Sequence, residues 1–375
     1  MNEKRTQLLE RALILFGEPA QKRIEYIKGE LIATALIDHV EYTDEMLRSL
    51  LNEVVFDKTT DNLFTKYIVP PFSVLDTRQG YWTERKNAWL QITGNLSATR
   101  DGEFGRVGGN KDNGKSFGNF GNDFRNRSDF NNINEGTSNF DPVLAEVMFK
   151  WFNLPHGKVL DPFGGEQTKG TVAGVLEMPY YGVEIRQEQV DYNRGVVSGL
   201  KGVNYVCGDS ANIATLIPDR DFDFVFTSPP YYDLEVYSDN KDDLSTFGTF
   251  DDFMVFMAKI YQSCADMLSP NRFFVVKVGE IRDKKTGVYR NFVGETIEVL
   301  KNCGLKYYNE IILVNAVGTA SMRASSSFRN RKIVKLHQNL LVFYKGELNQ
   351  VSSIFTRMND YNPMPTAEQG NLFTL

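Results

Sequence analysis

Residues 158–185 read KVLDPFGGEQTKGTVAGVLEMPYYGVEI. A short apolar run ends on Asp161 and Pro162, two glycines follow, then a helix-like segment, and a second apolar run closes on Glu184. Strand, glycine turn, helix and strand make the repeating unit of a parallel α/β sheet. The unit recurs downstream. RQEQVDYNRGVVSGL reads as a helix, VNYVCGDS as the end of a short strand and DFDFVFTSPP as a strand. RFFVVKVG is another strand, a helix follows near 291–302, and NEIILVN and NLLVFYKG are the last strands. Thr249-x-x-Asp252 forms a capping pattern ahead of Phe253, Phe256, Met257, Ile260, Cys264 and Met267 at helical spacing. Such alternation predicts a sheet wound on both faces, with ligands at the C-terminal ends of its strands.

Upstream the patterns differ. Residues 1–64 carry helical spacing at Leu8, Leu9, Ala12, Leu13 and Phe16 and again at Met46, Leu47, Leu50, Leu51 and Val54, with Thr43 placed as a cap. They are expected to form a helical N-terminal extension. Residues 65–92 mix aromatics with bases (Tyr67, Phe72, Arg78, Tyr81, Trp82, Arg85, Lys86, Trp89), a combination that grips nucleic acid and also occurs in packed peripheries. Residues 101–136 are rich in Gly and Asn with no apolar period, and read as a loop whose bases Arg106, Lys111, Lys115, Arg125 and Arg127 could meet phosphates. The expected organisation is therefore 1–64 helical, 65–136 aromatic, basic and loop-forming with possible DNA contacts, 137–346 the main domain, and 347–375 a tail.

The 375 residues are 42% hydrophobic and 24% charged with a net charge of −6, which excludes wholesale disorder and a uniformly basic nucleic-acid binder. No run of about 18 apolar residues predicts a membrane span. The N-terminus lacks the pattern of a signal peptide. A cytoplasmic protein is expected. Three scattered cysteines (Cys207, Cys264, Cys303) and three scattered histidines (His39, His156, His337) suggest neither a disulfide framework nor a metal site.

Four motifs fall at strand ends. Asp161-Pro162-Phe163-Gly164-Gly165 combines close backbone approach, free N–H groups at a helix start and an acid able to take a ligand's ammonium. Glu184 lies 23 positions beyond Asp161, where such folds bind a ribose diol. Asp209 and Ser210 end the next strand, where a carboxylate could accept an adenine amino group or cap a helix. No G-x-G-x-x-G offers a pyrophosphate site, so the set suits S-adenosyl-L-methionine better than a dinucleotide. The fourth motif is Thr227-Ser228-Pro229-Pro230-Tyr231. Prolines fix φ and remove donors, leaving carbonyl acceptors. The Ser228 hydroxyl and the Pro229 carbonyl can converge on one amino group beside the Tyr231 ring.

These residues resemble motifs I and IV of the DNA amino-methyltransferases, which methylate cytosine N4 or adenine N6. Phe140-Asp141-Pro142-Val143-Leu144 is similar to their motif X, and the order here is X, I, IV. The strings SPPYYDLEVYS, VGEIRDK, HQNLLVF and PPFSVLDTRQGYW are similar to orphan methylases of phages and prophages. The likeness implies a Rossmann-like class I sheet, mostly parallel with one antiparallel C-terminal strand. It further implies a cofactor site built from Phe140, Asp141, Asp161, Pro162, Phe163, Gly164, Gly165, Glu184, Asp209, Ser210 and Thr227, and a catalytic corner of Ser228, Pro229, Pro230 and Tyr231. The common motif I continues Gly-Ser-Gly-Thr, whereas Glu166, Gln167 and Thr168 stand here. Ser at 228 points toward cytosine, since adenine enzymes more often carry Asp there.

The expected substrate is double-stranded DNA with the target base swung out of the helix. Asp233 and Glu235 are weak candidates for proton acceptance. No acid lies between Glu310 and Glu347, a stretch holding Arg323, Arg329, Arg331, Lys332, Lys335 and Lys345. GTASMRASSSFRNRK within it reads as a loop that tracks phosphates. Adenine N6 methylation, a non-catalytic DNA binder on the same scaffold, and methylation of RNA or a protein amide are the alternatives. With no nuclease domain visible, a solitary modifier is the simplest expectation.

Overall fold

The computed structural model describes residue 63 and residues 67–93, 140–232, 248–315 and 320–355. The expected N-terminal helices, the Gly/Asn-rich loop, Asp233, Glu235 and the end of the tail lie outside these residues. The chain divides into two units, residues 1–71 with 360–362 and residues 72–359 with 363–375. Only residues 63 and 67–71 of the first are described.

The second unit is built on eight strands: β1 (Val74–Asp76), β2 (Val159–Asp161), β3 (Tyr180–Glu184), β4 (Val203–Cys207), β5 (Phe222–Thr227), β6 (Leu268–Val278), β7 (Lys306–Val314) and β8 (His337–Lys345). Their order is β1-β7-β8-β6-β5-β2-β3-β4. All neighbours pair in parallel except β8, which runs antiparallel to both β6 and β7. The single antiparallel strand matches expectation. The order turns back between β2 and β5, the position at which sheets of this kind take ligands, at the C-terminal ends of the strands.

The central strands are buried on both faces, as parallel strands must be when helices cover them. In β5, Phe222, Phe224, Val225 and Phe226 have no exposed surface. On one face lies α2 (Pro142–Phe152), whose Phe149 ring stands edge-on to Phe224 and Phe226. On the other lies α6 (Phe250–Met267), where Tyr261 meets Phe274 of β6 edge-on. Thr249 caps α6 through the Asp252 N–H at 3.1 Å, as its sequence pattern requires. The remaining helices are α1 (Gly80–Thr93), α3 (Thr168–Val175), α4 (Gln187–Val196), α5 (Ile213–Leu216), α7 (Phe292–Asn302), α8 (Ala320–Arg329) and α9 (Val351–Ile354).

Two findings depart from the sequence reading. First, the sheet begins well before residue 137. Residues 74–76 add an edge strand beside β7, and α1 packs against α2. Trp82, Arg85 and Trp89, candidates for gripping nucleic acid, are buried. Arg85 forks onto Glu146 of α2, Nε to Oε2 and Nη2 to Oε1, both at 2.6 Å, and Trp89 Nε1 donates to Oε2 at 2.7 Å. A buried guanidinium needs a carboxylate, and these side chains are committed to the fold. Second, the serine-rich stretch read as a loop is helix α8. Serines and bases dominate it, and none of its residues is buried, so no apolar stripe marks the helix.

Glu146→Ala strands Arg85 and the Trp89 N–H in a dry interior. The expected cost is about 3–5 kcal/mol, measured by urea unfolding. A loss below about 1 kcal/mol would mean that the pair does not hold α1 to α2.

Candidate active site

The crevice is built around Asp161, the last residue of β2, which is fully buried. Its Oδ1 accepts from Thr227 Oγ1 at 2.8 Å and from the Phe163 N–H at 3.1 Å. Its Oδ2 accepts from the Tyr180 hydroxyl at 2.7 Å and pairs with the Lys169 ammonium. Thr227 ends β5, so one carboxylate ties the Asp161 turn to the turn that carries Ser228. In the Asp161 turn Gly165 has φ +58° and an added Cβ would meet nothing nearer than Phe163 O at 4.0 Å, so space stands open above it. Gly164 is different: a Cβ there would crowd Val183 O at 3.2 Å and the Tyr205 ring at 3.3 Å. Glycine at 164 thus serves the packing of the turn on β3 and β4. Pro162 is buried, and its carbonyl accepts from the Ser210 hydroxyl, which binds the end of β4 to the same turn.

Glu166, the departure from the common motif, joins two segments. Its Oε1 accepts the Phe140 N–H at 2.9 Å, and its Oε2 accepts Thr168 N at 2.9 Å and Thr168 Oγ1 at 2.7 Å. It therefore caps α3 and pins the start of α2 to it. Desolvation pushes its carboxyl up, against the bonds from Thr168 and Phe140. Phe140 is buried, with the Lys169 and Lys277 ammonium groups 5.2 and 4.8 Å from its ring centroid. Asp141 holds the start of α2. Its Oδ1 caps α2 through Val143 N at 2.9 Å and Leu144 N at 3.3 Å, while Oδ2 faces Trp82 Nε1 and Lys86 Nζ, both at 3.3 Å. With both oxygens engaged, Asp141 positions α2.

Glu184 stands at the end of β3. Its Oε1 accepts from Arg186 N and Nε, each at 3.1 Å, which leaves acceptor capacity for a diol. Burial pushes its carboxyl up, opposed by Arg186 and the Gly165 N–H. Asp209 caps the 3₁₀ turn Ser210–Asn212 through Ala211 N at 2.8 Å, the helix-cap alternative foreseen for it, with Oδ2 uncommitted.

Thr227 is buried, and beyond it the chain emerges: Ser228, Pro230 and Tyr231 are half-buried, Pro229 buried. Ser228 Oγ makes no hydrogen bond to any described residue. The Tyr231 hydroxyl accepts from Gln338 Nε2 at 2.8 Å, and its ring meets Phe292 edge-on with centroids 6.0 Å apart. Gln338 is in turn held by Asn315 Nδ2 at 3.0 Å.

Helix α8 follows β7 and precedes β8, which places it on the same C-terminal sheet edge. Arg323, Arg329, Arg331 and Lys332 are exposed there and Lys335 is half-buried. The Arg331 guanidinium lies 4.8 Å from the Phe328 ring centroid, and Met322 and Phe328 are exposed beside these bases.

Sequence reasoning missed Lys169 and Gln338. A lysine in the first turn of a helix opposes the helix dipole, so it needs an acid partner, and that was a usable signal. Gln338 is one polar residue at the start of an apolar strand and carried none. Among the described residues no group of His, Cys, Asp or Glu could hold a metal, and no helix is long and apolar enough to cross a membrane.

Comparison with known proteins adds the following. Residues 222–371 match a family model described as DNA methylase. No curated protein matches. TrmN from Thermus thermophilus is 16% identical with a TM-score of 0.37, covering 55% of this chain and 49% of its own. A methyltransferase from Pyrococcus furiosus is 16% identical with a TM-score of 0.37, covering 56% of this chain and 84% of its own. A candidate DNA modification methylase from Thermus thermophilus, solved in complex with S-adenosyl-L-methionine, is 18% identical with a TM-score of 0.28, covering 37% of this chain and 54% of its own. The chain thus spans about half the length of the two Thermus structures. The sheet has a Rossmann-like order with one antiparallel strand, and the region that matches the DNA methylase model takes in β5 to β8.

Glu184 yields a pH prediction. Folded, it binds its proton more readily than unfolded, so the stability linked to it is full at low pH and is lost as pH rises through its raised value. Glu184→Gln should therefore unfold at higher urea than the wild type near neutral pH. That advantage should vanish below the ordinary Glu value of about 4.3. A pH-independent difference would contradict the buried-carboxylate account.

Proposed function

We propose that the protein transfers a methyl group from S-adenosyl-L-methionine to an exocyclic base amine of double-stranded DNA, cytosine N4 in preference to adenine N6. The observation that carries this reading is the Thr227–Asp161 hydrogen bond at 2.8 Å. It couples the glycine turn of a cofactor crevice to the Ser-Pro-Pro-Tyr corner, so donor and acceptor sites adjoin. The residues present fit such a donor: Glu184 retains acceptor capacity for a ribose diol, and open space stands above Gly165. The donor supplies an electrophilic methyl on a positively charged sulfur.

The chain's own residues do the rest by placement. An exocyclic amine is a weak nucleophile because its lone pair is delocalised into the ring. Ser228 Oγ, free of protein partners among the described residues, and the Pro229 carbonyl accept its two N–H bonds and favour a pyramidal nitrogen. The Tyr231 ring, fixed at its hydroxyl by Gln338 and at its edge by Phe292, offers a flat face to an extruded base. Acceleration of this kind comes from orientation rather than from a strong base. Arg323, Arg329, Arg331, Lys332 and Lys335 line the same sheet edge and suit phosphates. The likeness to orphan methylases of phages and prophages supports solitary action.

Ser228→Ala should lower kcat about a hundredfold or more while S-adenosylhomocysteine affinity by calorimetry stays near wild type. Methyl transfer to DNA followed by nucleoside analysis should yield N4-methylcytosine. N6-methyladenine alone would reverse the base assignment, and normal turnover by the variant would remove Ser228 from the amine site. Replacing Arg329 and Arg331 by Ala should weaken binding to all duplexes alike. Each lost phosphate contact should lower the slope of log affinity against log salt by about 0.9. An unchanged slope would place DNA elsewhere.

A further inference from the structure

The acid that the sequence offers to a ligand's ammonium is already full. A carboxylate has roughly four acceptor positions, and Asp161 fills them with Thr227 Oγ1, the Phe163 N–H, the Tyr180 hydroxyl and Lys169 Nζ. Lys169 is itself buried, 3% exposed, at the first turn of α3. A second of its three N–H donors goes to Phe163 O at 3.0 Å, and the third has no hydrogen-bond acceptor among the described residues, the ammonium standing 5.2 Å from the Phe140 ring centroid. The turn thus carries an ammonium of its own in the place where a ligand would bring one. A second cation there would find no free acceptor and a like charge beside it. An anion would find a desolvated ammonium with a donor to spare. Lys277, whose ammonium lies 4.8 Å from the same Phe140 ring that Lys169 faces, adds positive charge nearby.

We infer that Lys169 sets the specificity of the donor site: the amino-acid end of the donor is held by its carboxylate, through Lys169, and its α-ammonium contributes little. This rests on the S-adenosyl donor reading above. It separates the crevice into an adenosine end, served by Glu184, and an anion end, served by Lys169. Asp161 becomes a positioning residue for Lys169 rather than a ligand contact.

The test is calorimetric titration of the full chain with three compounds: S-adenosylhomocysteine, its analogue lacking the amino group, and its analogue lacking the carboxylate. The desamino compound is expected within about threefold of S-adenosylhomocysteine, and the decarboxy compound at least about tenfold weaker, the scale of one charge-assisted hydrogen bond. Lys169→Met keeps the length and apolar stem of the side chain and should erase the penalty for losing the carboxylate. The wild-type series decides even where that variant folds poorly. Loss of the desamino compound with retention of the decarboxy one would overturn the inference and leave the donor reading intact. Failure of all three to bind would overturn both.

Discussion

One buried carboxylate organises the molecule's working edge. Asp161 gathers donors from β3, from the turn after β2, from α3 and from β5. A carboxylate without surface exposure is tolerable only when its acceptor positions are satisfied, and here four different elements supply the donors. Its hydrogen bonds therefore fix the relative height of two turns, the glycine turn after β2 and the turn bearing Ser228. Glu166 repeats the device a layer outward, joining the entry of α2 to the cap of α3.

Electrostatics divide the chain's labour. The molecule is acidic as a whole, with a net charge of −6, yet the stretch between Glu310 and Glu347 contains bases and no acid. On an acidic molecule, the basic rim of α8 and the segment after it gives a polyanion an attractive approach. Exposed Met322 and Phe328 stand among those bases, so the rim offers apolar as well as charged contact.

Much of this architecture was legible in the sequence where periodicity was strong. The runs that became β2 to β8 are apolar and flanked by glycine, acid or proline, and α6 carried both a cap and a helical stripe. β1 was not legible, since Val74–Asp76 is three residues long at a sheet edge with Val74 exposed, and no period exists over three residues. Helix α8 was hidden because a helix exposed all round has no apolar stripe to read. The candidate site was legible as residue types at strand ends, but the partners of those residues were not. Asp141 and Asp209 look alike to Glu184 in sequence, and only the structure shows two of them capping helical turns. The aromatic and basic segment misled for a related reason: an arginine between tryptophans has the same composition whether it faces phosphate or Glu146.

The late pairing of β1 shapes how the molecule can be made. Val74 sits beside Ile312, and Thr77 donates to Val314 across 237 residues of chain. During synthesis this segment leaves the ribosome long before its partner strand exists. Its three-residue strand must stay unpaired until β7 is in place. The outermost edge of the sheet is thus translated ahead of the strands that it joins and is among the last that can close, which makes completion of the fold a check that those strands have all arrived.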